Sequence, residues 1–104
     1  MRRGEVWWAR LPAPAGTRPV LLLSRNEAYP VRELVTVAPL TTRIRQIPTE
    51  VGLGPDDGLD RLCVANLDTL TTIPKSLLTA RLAALRPGKI AAIDRAVRFA
   101  LGLA

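Results

Sequence analysis

Two residue types that bind phosphate stand beside short apolar runs in the first half of the chain. Arg18 directly precedes PVLLLS (19–24), and the hydroxyls of Thr41 and Thr42 directly follow VTVAPL (35–40). A guanidinium offers planar, bidentate hydrogen bonding to phosphate, and a threonine hydroxyl adds a neutral donor. If the two runs pair as antiparallel strands, Arg18 and Thr41 meet at one rim of a sheet. Such a pair would bind a phosphodiester and stabilise the added charge of its pentacoordinate transition state.

A purely structural interpretation of these residues is also open, and composition alone favours it. Arg18 would then be the solvent end of a strand, and Thr41 would form a hydrogen bond within a turn. Ser24, which follows the first run, either ends its strand or contacts a substrate. The choice depends on the rest of the chain.

The 104-residue chain lacks the residues that several other chemistries need. It has no histidine, which excludes histidine acid–base catalysis. It has a single cysteine, Cys63, which prevents an internal disulfide and, without histidine, leaves too few of the usual ligands for a zinc site. Neither GxxxxGK nor GxGxxG occurs, so no nucleotide-binding loop is indicated. We therefore expect no cofactor and no metal. If the protein is an enzyme, it works with arginine, lysine, carboxylates and hydroxyls.

Charge and hydropathy indicate the kind of partner and the compartment. The net charge of +6 suits a polyanion, and nucleic acid is the commonest one. No apolar run approaches the roughly 18 residues of a membrane span. Glu5 and Arg10 interrupt the N-terminal segment MRRGEVWWARL, which does not resemble a signal peptide. These features predict a cytoplasmic protein with no membrane partner, and the single cysteine agrees with a reducing compartment.

Most of the chain has the pattern of short strands separated by turns. Strands are predicted at 5–11, 19–24, 33–40, 48–53 and 60–67, with 80–85 either a strand or a helix. GPDDG (54–58) is the clearest turn. Together with one terminal helix, this pattern predicts a single α+β domain over 1–104, built on a small curled sheet or barrel of about five to seven strands.

A helix is predicted at 87–103, with Pro87 near its start and Gly102 near its end. Its apolar stripe at helical spacing consists of Ile90, Ile93, Val97 and Leu101. This stripe is predicted to cover the sheet, with a partner-binding groove as the rarer alternative. Asp94 and Arg98 can pair one turn apart on the wet face.

Six segments occur in the order seen in one known family. They are RGEVWW, RPVLLLS, VTVAPLTTR, PTEV, DTLTTIPKSLL and RAVRFALGL, and they cover essentially the whole chain. In this the sequence resembles the MazF/PemK family, the toxins of bacterial type II toxin–antitoxin modules. The resemblance implies an SH3-like barrel with a C-terminal helix that works as a homodimer. It also implies metal-independent, sequence-specific cleavage of single-stranded RNA, in which the 2′-hydroxyl attacks the adjacent phosphorus and leaves 2′,3′-cyclic phosphate and 5′-hydroxyl ends.

The resemblance assigns roles to particular residues. The family's catalytic arginine matches Arg18, and its catalytic threonine matches Thr41. An ordinary arginine has a pKa above about 12 and is a poor general base, so electrostatic stabilisation is the role expected of Arg18. Ser24 and Thr42 would contact substrate. Asn66 and Asp68 fall where the family places residues of the substrate groove, with the capping of a turn as the alternative role of Asp68. The remaining predicted RNA contacts are basic, each with a solvated surface charge as its alternative: Arg25, Arg43, Arg45 and Lys75.

The expected regulator is a cognate antitoxin whose acidic, initially disordered tail competes for the basic groove. The loop PAPAGT (12–17) is shorter than in many family members, which leaves the gating of the site open. Two other functions remain possible for this fold: a non-catalytic toxin that binds DNA gyrase, and a catalytically silent RNA-binding barrel. Of the adjacent Trp7 and Trp8, at most one can face a substrate, because neighbouring strand residues point to opposite sides.

Overall fold

The computed structural model describes residues 1–104, which form seven strands followed by one α-helix. The elements in chain order are β1 (Glu5–Arg10), β2 (Thr17–Leu22), β3 (Leu34–Thr41), β4 (Glu50–Leu53), β5 (Cys63–Asn66), β6 (Thr71–Pro74), β7 (Leu78–Ala84) and α1 (Pro87–Leu101). Short 3₁₀ turns lie at Asn26–Ala28, Pro55–Asp57 and Lys75–Leu77. No helix in the structure is long and apolar enough to cross a membrane.

The strands form one antiparallel sheet that branches at β3. The main order is β4-β5-β3-β2-β1-β7, and β6 pairs with the first half of β3. The far end of β3 turns away to pair with β5, where Leu40 lies opposite Ala65 and Thr41 opposite Val64. The sheet curls without closing fully, which confirms the predicted α+β fold and its barrel-like, SH3-like character.

Strand β2 lies at the centre of the sheet and contributes to a core on each face. Leu21 packs into the core beneath the helix, whereas Val20 and Leu22 pack into the core on the other face. All three side chains are at most 1% exposed. A continuous apolar run is therefore what this strand needs, because successive residues face opposite sides and both sides are covered.

Helix α1 covers one face of the sheet through Ile93 and Ala96, with Ile90 and Val97 packed beside them. Leu101, predicted to belong to this stripe, is 56% exposed. The geometry explains the error: at 3.6 residues per turn, position 101 is rotated about 80° from Ile93, whereas position 100 is rotated only about 20°. Ala100 accordingly packs against the core instead.

The ion pair predicted on the wet face of the helix is wrong. Asp94 pairs with Arg3, at 2.7 Å between Nη2 and Oδ1, and not with Arg98. This contact joins the N-terminus to the helix across 91 positions of sequence, which helical spacing cannot indicate.

Strand β6 was not predicted, because its segment TTIP is short, ends in proline and has only Ile73 buried. The segment 80–85, predicted as either a strand or a helix, is a strand: residues 80–84 belong to β7, which pairs with β1.

Candidate active site

The pairing of β2 with β3 brings Arg18 and Thr41 to the same rim of the sheet. Val20 lies opposite Pro39 and Leu21 opposite Ala38. The same register, continued by two residues, places Arg18 across from Thr41. Both strands extend to these residues, since β2 begins at Thr17 and β3 ends at Thr41. The predicted antiparallel pairing is confirmed.

Both side chains line one cavity of about 270 Å³, hereafter the Arg18 cavity. Its lining residues are Trp8, Arg18, Pro19, Leu40, Thr41, Thr42, Leu59, Asp60, Arg61, Cys63 and Leu82. Leu40, Leu59 and Cys63 belong to the core beneath the helix and form an apolar part of the wall. Hydroxyl and guanidinium groups therefore stand beside apolar surface, where their hydrogen bonds to a phosphate are stronger than in open water.

Arg18 is oriented by the short loop that precedes it. Its Nε donates a 2.8 Å hydrogen bond to the carbonyl oxygen of Ala15. The loop is closed by backbone bonds from Leu11 N to Gly16 O and from Ala15 N to Pro12 O, each 3.1 Å. Gly16 adopts φ +70°, a conformation that side chains other than glycine disfavour. The Nη atoms of Arg18 make no ion pair or hydrogen bond within the chain, which leaves them available to a substrate.

Thr41 is oriented by the backbone that follows it. Its Oγ1 accepts a 3.1 Å hydrogen bond from the backbone N–H of Arg43. Because this bond uses the oxygen as an acceptor, the hydroxyl hydrogen of Thr41 remains available for donation. Thr42, at the next position, lines the same cavity. The rim therefore presents a guanidinium and hydroxyl donors, which suits an anionic oxygen.

Asp60 and Arg61 also line the Arg18 cavity, and sequence reasoning missed both. Residues 60–67 were predicted to be a strand, but β5 begins only at Cys63 and the preceding residues form a turn. Neither side chain forms an ion pair, so Arg61 is a second guanidinium without a counter-ion. Only the pairing of β5 with the end of β3 brings this turn to the site, and no local sequence pattern reveals that pairing.

The two tryptophans face opposite sides, as predicted. Trp8 lines the Arg18 cavity, whereas Trp7 packs against the other core and donates its indole N–H to Glu5 Oε1 at 2.9 Å.

Cys63, the single cysteine, is buried in the wall of the cavity, with 7% of the residue exposed. Burial raises the pKa of its thiol, assisted by the charge of Asp57, so the neutral thiol predominates at neutral pH. Its surroundings are those of a small apolar residue rather than a nucleophile.

A second group of predicted RNA-binding residues lies on the segment after Thr41 and at the end of β5. Arg43 and Arg45 are exposed on the segment between β3 and β4. Asn66 lies opposite Glu50 in the pairing of β4 with β5. Asp68 is held in a turn, where its Oδ2 accepts a 2.6 Å hydrogen bond from Thr49 Oγ1 and its N–H donates to Asn66 Oδ1. The side chain that caps this turn is therefore that of Asn66, whereas the Asp68 carboxylate binds the hydroxyl of Thr49.

A third group lies at the opposite end of β2 and β3. Ser24 accepts a 2.8 Å hydrogen bond at Oγ from the backbone N–H of Thr36, and Lys75 Nζ donates to the carbonyl oxygen of Tyr29. Arg25 is exposed beside them. Ser24 lies six positions along the extended chain from Arg18, which corresponds to about 20 Å. The structure does not bring Ser24, Arg25 and Lys75 to the Arg18 cavity.

No group of three or more histidine, cysteine, aspartate or glutamate side chains is placed so that it could hold a metal ion. The chemistry available in the Arg18 cavity is therefore that of two guanidiniums, two threonine hydroxyls, one carboxylate and one indole.

The sequence and the fold have close counterparts among bacterial toxins. Residues 2–101 match the family described as "PemK-like, MazF-like toxin of type II toxin-antitoxin system". The chain is 40% identical over 100 residues to a protein of Mycobacterium tuberculosis named probable endoribonuclease MazF5, which covers 95% of this chain and 91% of that relative. The chain belongs to the PemK/MazF toxin family.

Solved structures agree with this assignment. The toxin MazF-mt6 of Mycobacterium tuberculosis superposes with a TM-score of 0.89 at 33% identity, covering 96% of this chain and 98% of that one. A mycobacterial endoribonuclease solved in complex with its cognate antitoxin gives 0.87 at 33% identity, covering 100% and 97%.

Proposed function

We propose that this protein is a toxin that cleaves single-stranded RNA at specific sequences and acts through a single domain. The observation that carries the proposal is the placement of Arg18 and Thr41 on neighbouring strands at the rim of one cavity. Membership of a family whose relatives are named endoribonucleases supports it. A protein that only bound a partner would have no need of a guanidinium and a hydroxyl brought together at the rim of one cavity.

The proposed reaction is a transesterification within the RNA strand. The 2′-oxygen attacks the adjacent phosphorus, a new P–O2′ bond forms, and the P–O5′ bond breaks. The 2′-hydroxyl loses its proton, and the leaving 5′-oxygen gains one. The products are a 2′,3′-cyclic phosphate and a 5′-hydroxyl, with no metal ion required.

The side chains of the Arg18 cavity stabilise the transition state of this reaction. The free Nη atoms of Arg18 would contact non-bridging oxygens, and the hydroxyl of Thr41 would donate to one of them. Both groups are positioned before substrate arrives, so little reorganisation accompanies the build-up of charge on phosphorus. Trp8 offers a face on which a flanking base can stack.

The proposed partners follow from the family and from charge. A cognate antitoxin with an acidic tail would neutralise the toxin by competing with RNA for the cationic rim, and a related endoribonuclease has been solved with its cognate antitoxin. A homodimer in the cytoplasm is the proposed working form.

The direct test is to incubate the purified protein with a long unstructured RNA in excess EDTA and to map the ends of the products. Discrete cuts that bear 5′-hydroxyl and cyclic phosphate ends are expected, and aligned cuts would give the recognition sequence. Intact RNA across a range of substrates would refute the proposal. Retained RNA affinity without cleavage would then indicate a silent RNA-binding barrel, and inhibition of gyrase would indicate the other alternative.

Replacing Arg61 with alanine is expected to lower kcat/KM for RNA about tenfold, because the cavity loses its second unpaired guanidinium. Arg95→Ala is the matched control, since Arg95 is also exposed and without an ion pair but lies on α1. The two variants carry the same net charge, so any difference between them reports position rather than general attraction of RNA. Equal rates for the two variants would remove Arg61 from the proposed site.

A further inference from the structure

The segment 42–49 connects β3 to β4 and leads away from the Arg18 cavity. It contains two exposed arginines, Arg43 and Arg45. Thr41 and Thr42 line that cavity, and Ile44 lines a neighbouring one of about 280 Å³, with Cys63 forming part of both walls. The side chains of Arg43 and Arg45 form no ion pair or hydrogen bond within the chain. A strand of RNA that leaves the Arg18 cavity along this segment therefore meets two uncommitted guanidiniums.

Both ends of this segment are fixed by side chains that accept backbone hydrogen bonds. At one end Thr41 accepts the N–H of Arg43. At the other end Glu50 Oε1 accepts the N–H of Arg45 at 2.8 Å and that of Gln46 at 3.2 Å. The Glu50 N–H in turn donates to Ile47 O at 3.0 Å, which closes the turn.

Gln46 gives the Glu50 contact particular importance. Its φ of 57° makes it the single non-glycine residue in the chain with a positive φ. Such a conformation is uncommon for residues with a side chain and persists where surrounding contacts enforce it. The carboxylate of Glu50, bonded to the N–H of Gln46, is the contact that enforces it here.

Glu50 organises the segment without forming an ion pair with either of its arginines. A carboxylate close in sequence to two arginines would ordinarily form an ion pair with one of them, yet none of the ion pairs in the structure includes Glu50. Its oxygen is directed to backbone amides instead, and hydrogen bonds to an ionised acceptor are the stronger kind. The rigid strand β4 holds Glu50 itself, opposite Asn66 of β5.

We propose that Glu50 is a positioning residue: through the backbone of Arg45 and Gln46 it fixes the segment that carries Arg43 and Arg45, so that these arginines contact the RNA backbone beyond the cleaved phosphodiester. This inference rests on the proposed function. Glu50 touches no reacting atom, so its effect falls on substrate binding. Replacing it removes a negative charge, which by general electrostatics would tighten RNA binding. Loss of positioning would weaken binding, so the two effects have opposite signs.

The test compares Glu50→Ala and Glu50→Gln with wild type in steady-state cleavage of a short RNA. Glu50→Ala is expected to raise KM roughly tenfold, the effect of losing about one charge-assisted hydrogen bond, with kcat changed less than about twofold. Glu50→Gln keeps a carbonyl acceptor and should lie between. Glu27→Ala is the charge-matched control, because Glu27 is exposed on the 3₁₀ turn Asn26–Ala28 and makes no side-chain contact. An unchanged or lowered KM for Glu50→Ala would overturn the proposal.

A double-mutant cycle separates positioning from general destabilisation. In a background that already carries Arg43→Ala and Arg45→Ala, Glu50→Ala should raise KM no further, because the groups it positions are absent. An equal rise in both backgrounds would show that Glu50 acts through something other than these arginines.

Amide hydrogen exchange tests the same contact without RNA. The N–H groups of Arg45 and Gln46 should be protected in the wild type and exchange at least about tenfold faster in Glu50→Ala, while those of β2 stay protected. Unchanged exchange would refute the positioning role. A protein that shows this exchange pattern but cleaves no RNA would instead refute the proposed function.

Discussion

Replacing Arg18 with alanine is expected to lower kcat for RNA cleavage by about 10²–10³-fold, the usual effect of removing one preorganised donor to a developing oxyanion. The reason lies in the geometry of the Arg18 cavity. Nε is committed to Ala15 O, so the two Nη atoms are presented together and in fixed orientation. Lysine lacks this planar pair of donors, and Arg18→Lys should therefore recover only part of the lost rate.

Single-turnover cleavage under saturating protein measures this effect without a contribution from product release. Thermal unfolding provides the control: Arg18 is exposed and makes one side-chain hydrogen bond, so the melting temperature should barely change. Thr41→Val is a useful companion, since it preserves shape and removes the hydroxyl. An Arg18→Ala protein that is folded and cleaves at the wild-type rate would exclude Arg18 from catalysis.

The juxtaposition of Arg18 and Thr41 could be predicted because it depends on neighbouring strands. Each residue stands at the end of an apolar run, and consecutive antiparallel strands place such ends together. The same logic predicted that Trp7 and Trp8 face opposite sides, because strand periodicity is local.

Asp60 and Arg61 could not be predicted because they depend on how the sheet branches. Strand β3 pairs with β6 over its first half and with β5 at its end, so the turn before β5 reaches the Arg18 cavity. Nothing in the residues 60–62 specifies that partner. Their composition led to a predicted strand that begins at residue 60. Asp60 and Arg61 would then be ordinary strand residues rather than residues of a turn that lines the cavity.

The sequence likewise could not predict which basic residues lie together on one surface. Arg43 and Lys75 have the same charge and similar turn contexts, yet Arg43 lies next to Thr41 whereas Lys75 donates to Tyr29 O at the far end of β3. Which basic residues share a surface depends on strand direction and length. Ser24, Arg25 and Lys75 do not line the Arg18 cavity. That these residues contact RNA therefore stays a prediction that the cavity does not support.

Glu5 is the other residue whose importance only the structure shows. It is a carboxylate at the start of β1 that is 7% exposed. Oε1 accepts the backbone N–H of Arg2 and the indole N–H of Trp7, each at 2.9 Å, and Oε2 lies 3.3 Å from Arg81 Nη1. These contacts fix Trp7 on one side of β1, which leaves Trp8 directed to the Arg18 cavity. A buried carboxylate of this kind is stable only while its partners are in place.

Glu5→Ala is expected to lower the free energy of unfolding by about 1–3 kcal/mol at pH 7, because three partly buried hydrogen bonds lose their common acceptor. Glu5→Gln, which keeps one acceptor oxygen, should lose less. Urea unfolding at neutral pH measures both values. Glu27→Ala is the control, since Glu27 is exposed and makes no side-chain contact, and its stability should match that of the wild type.

The pH dependence of the same difference tests the electrostatic cause. Burial favours the neutral carboxyl, but the hydrogen bonds from Trp7, Arg2 and Arg81 outweigh it and lower the pKa of Glu5 below its ordinary value of 4.5. A group whose pKa is lowered on folding contributes its full stabilisation above the unfolded pKa and loses it as the pH falls through the folded value. The stability gap between wild type and Glu5→Gln should therefore be constant from about pH 8 to about pH 5.5 and shrink below about pH 4.5. A gap that stays constant into acid would show that Glu5 stabilises β1 by packing and hydrogen bonding alone, without a contribution from its charge.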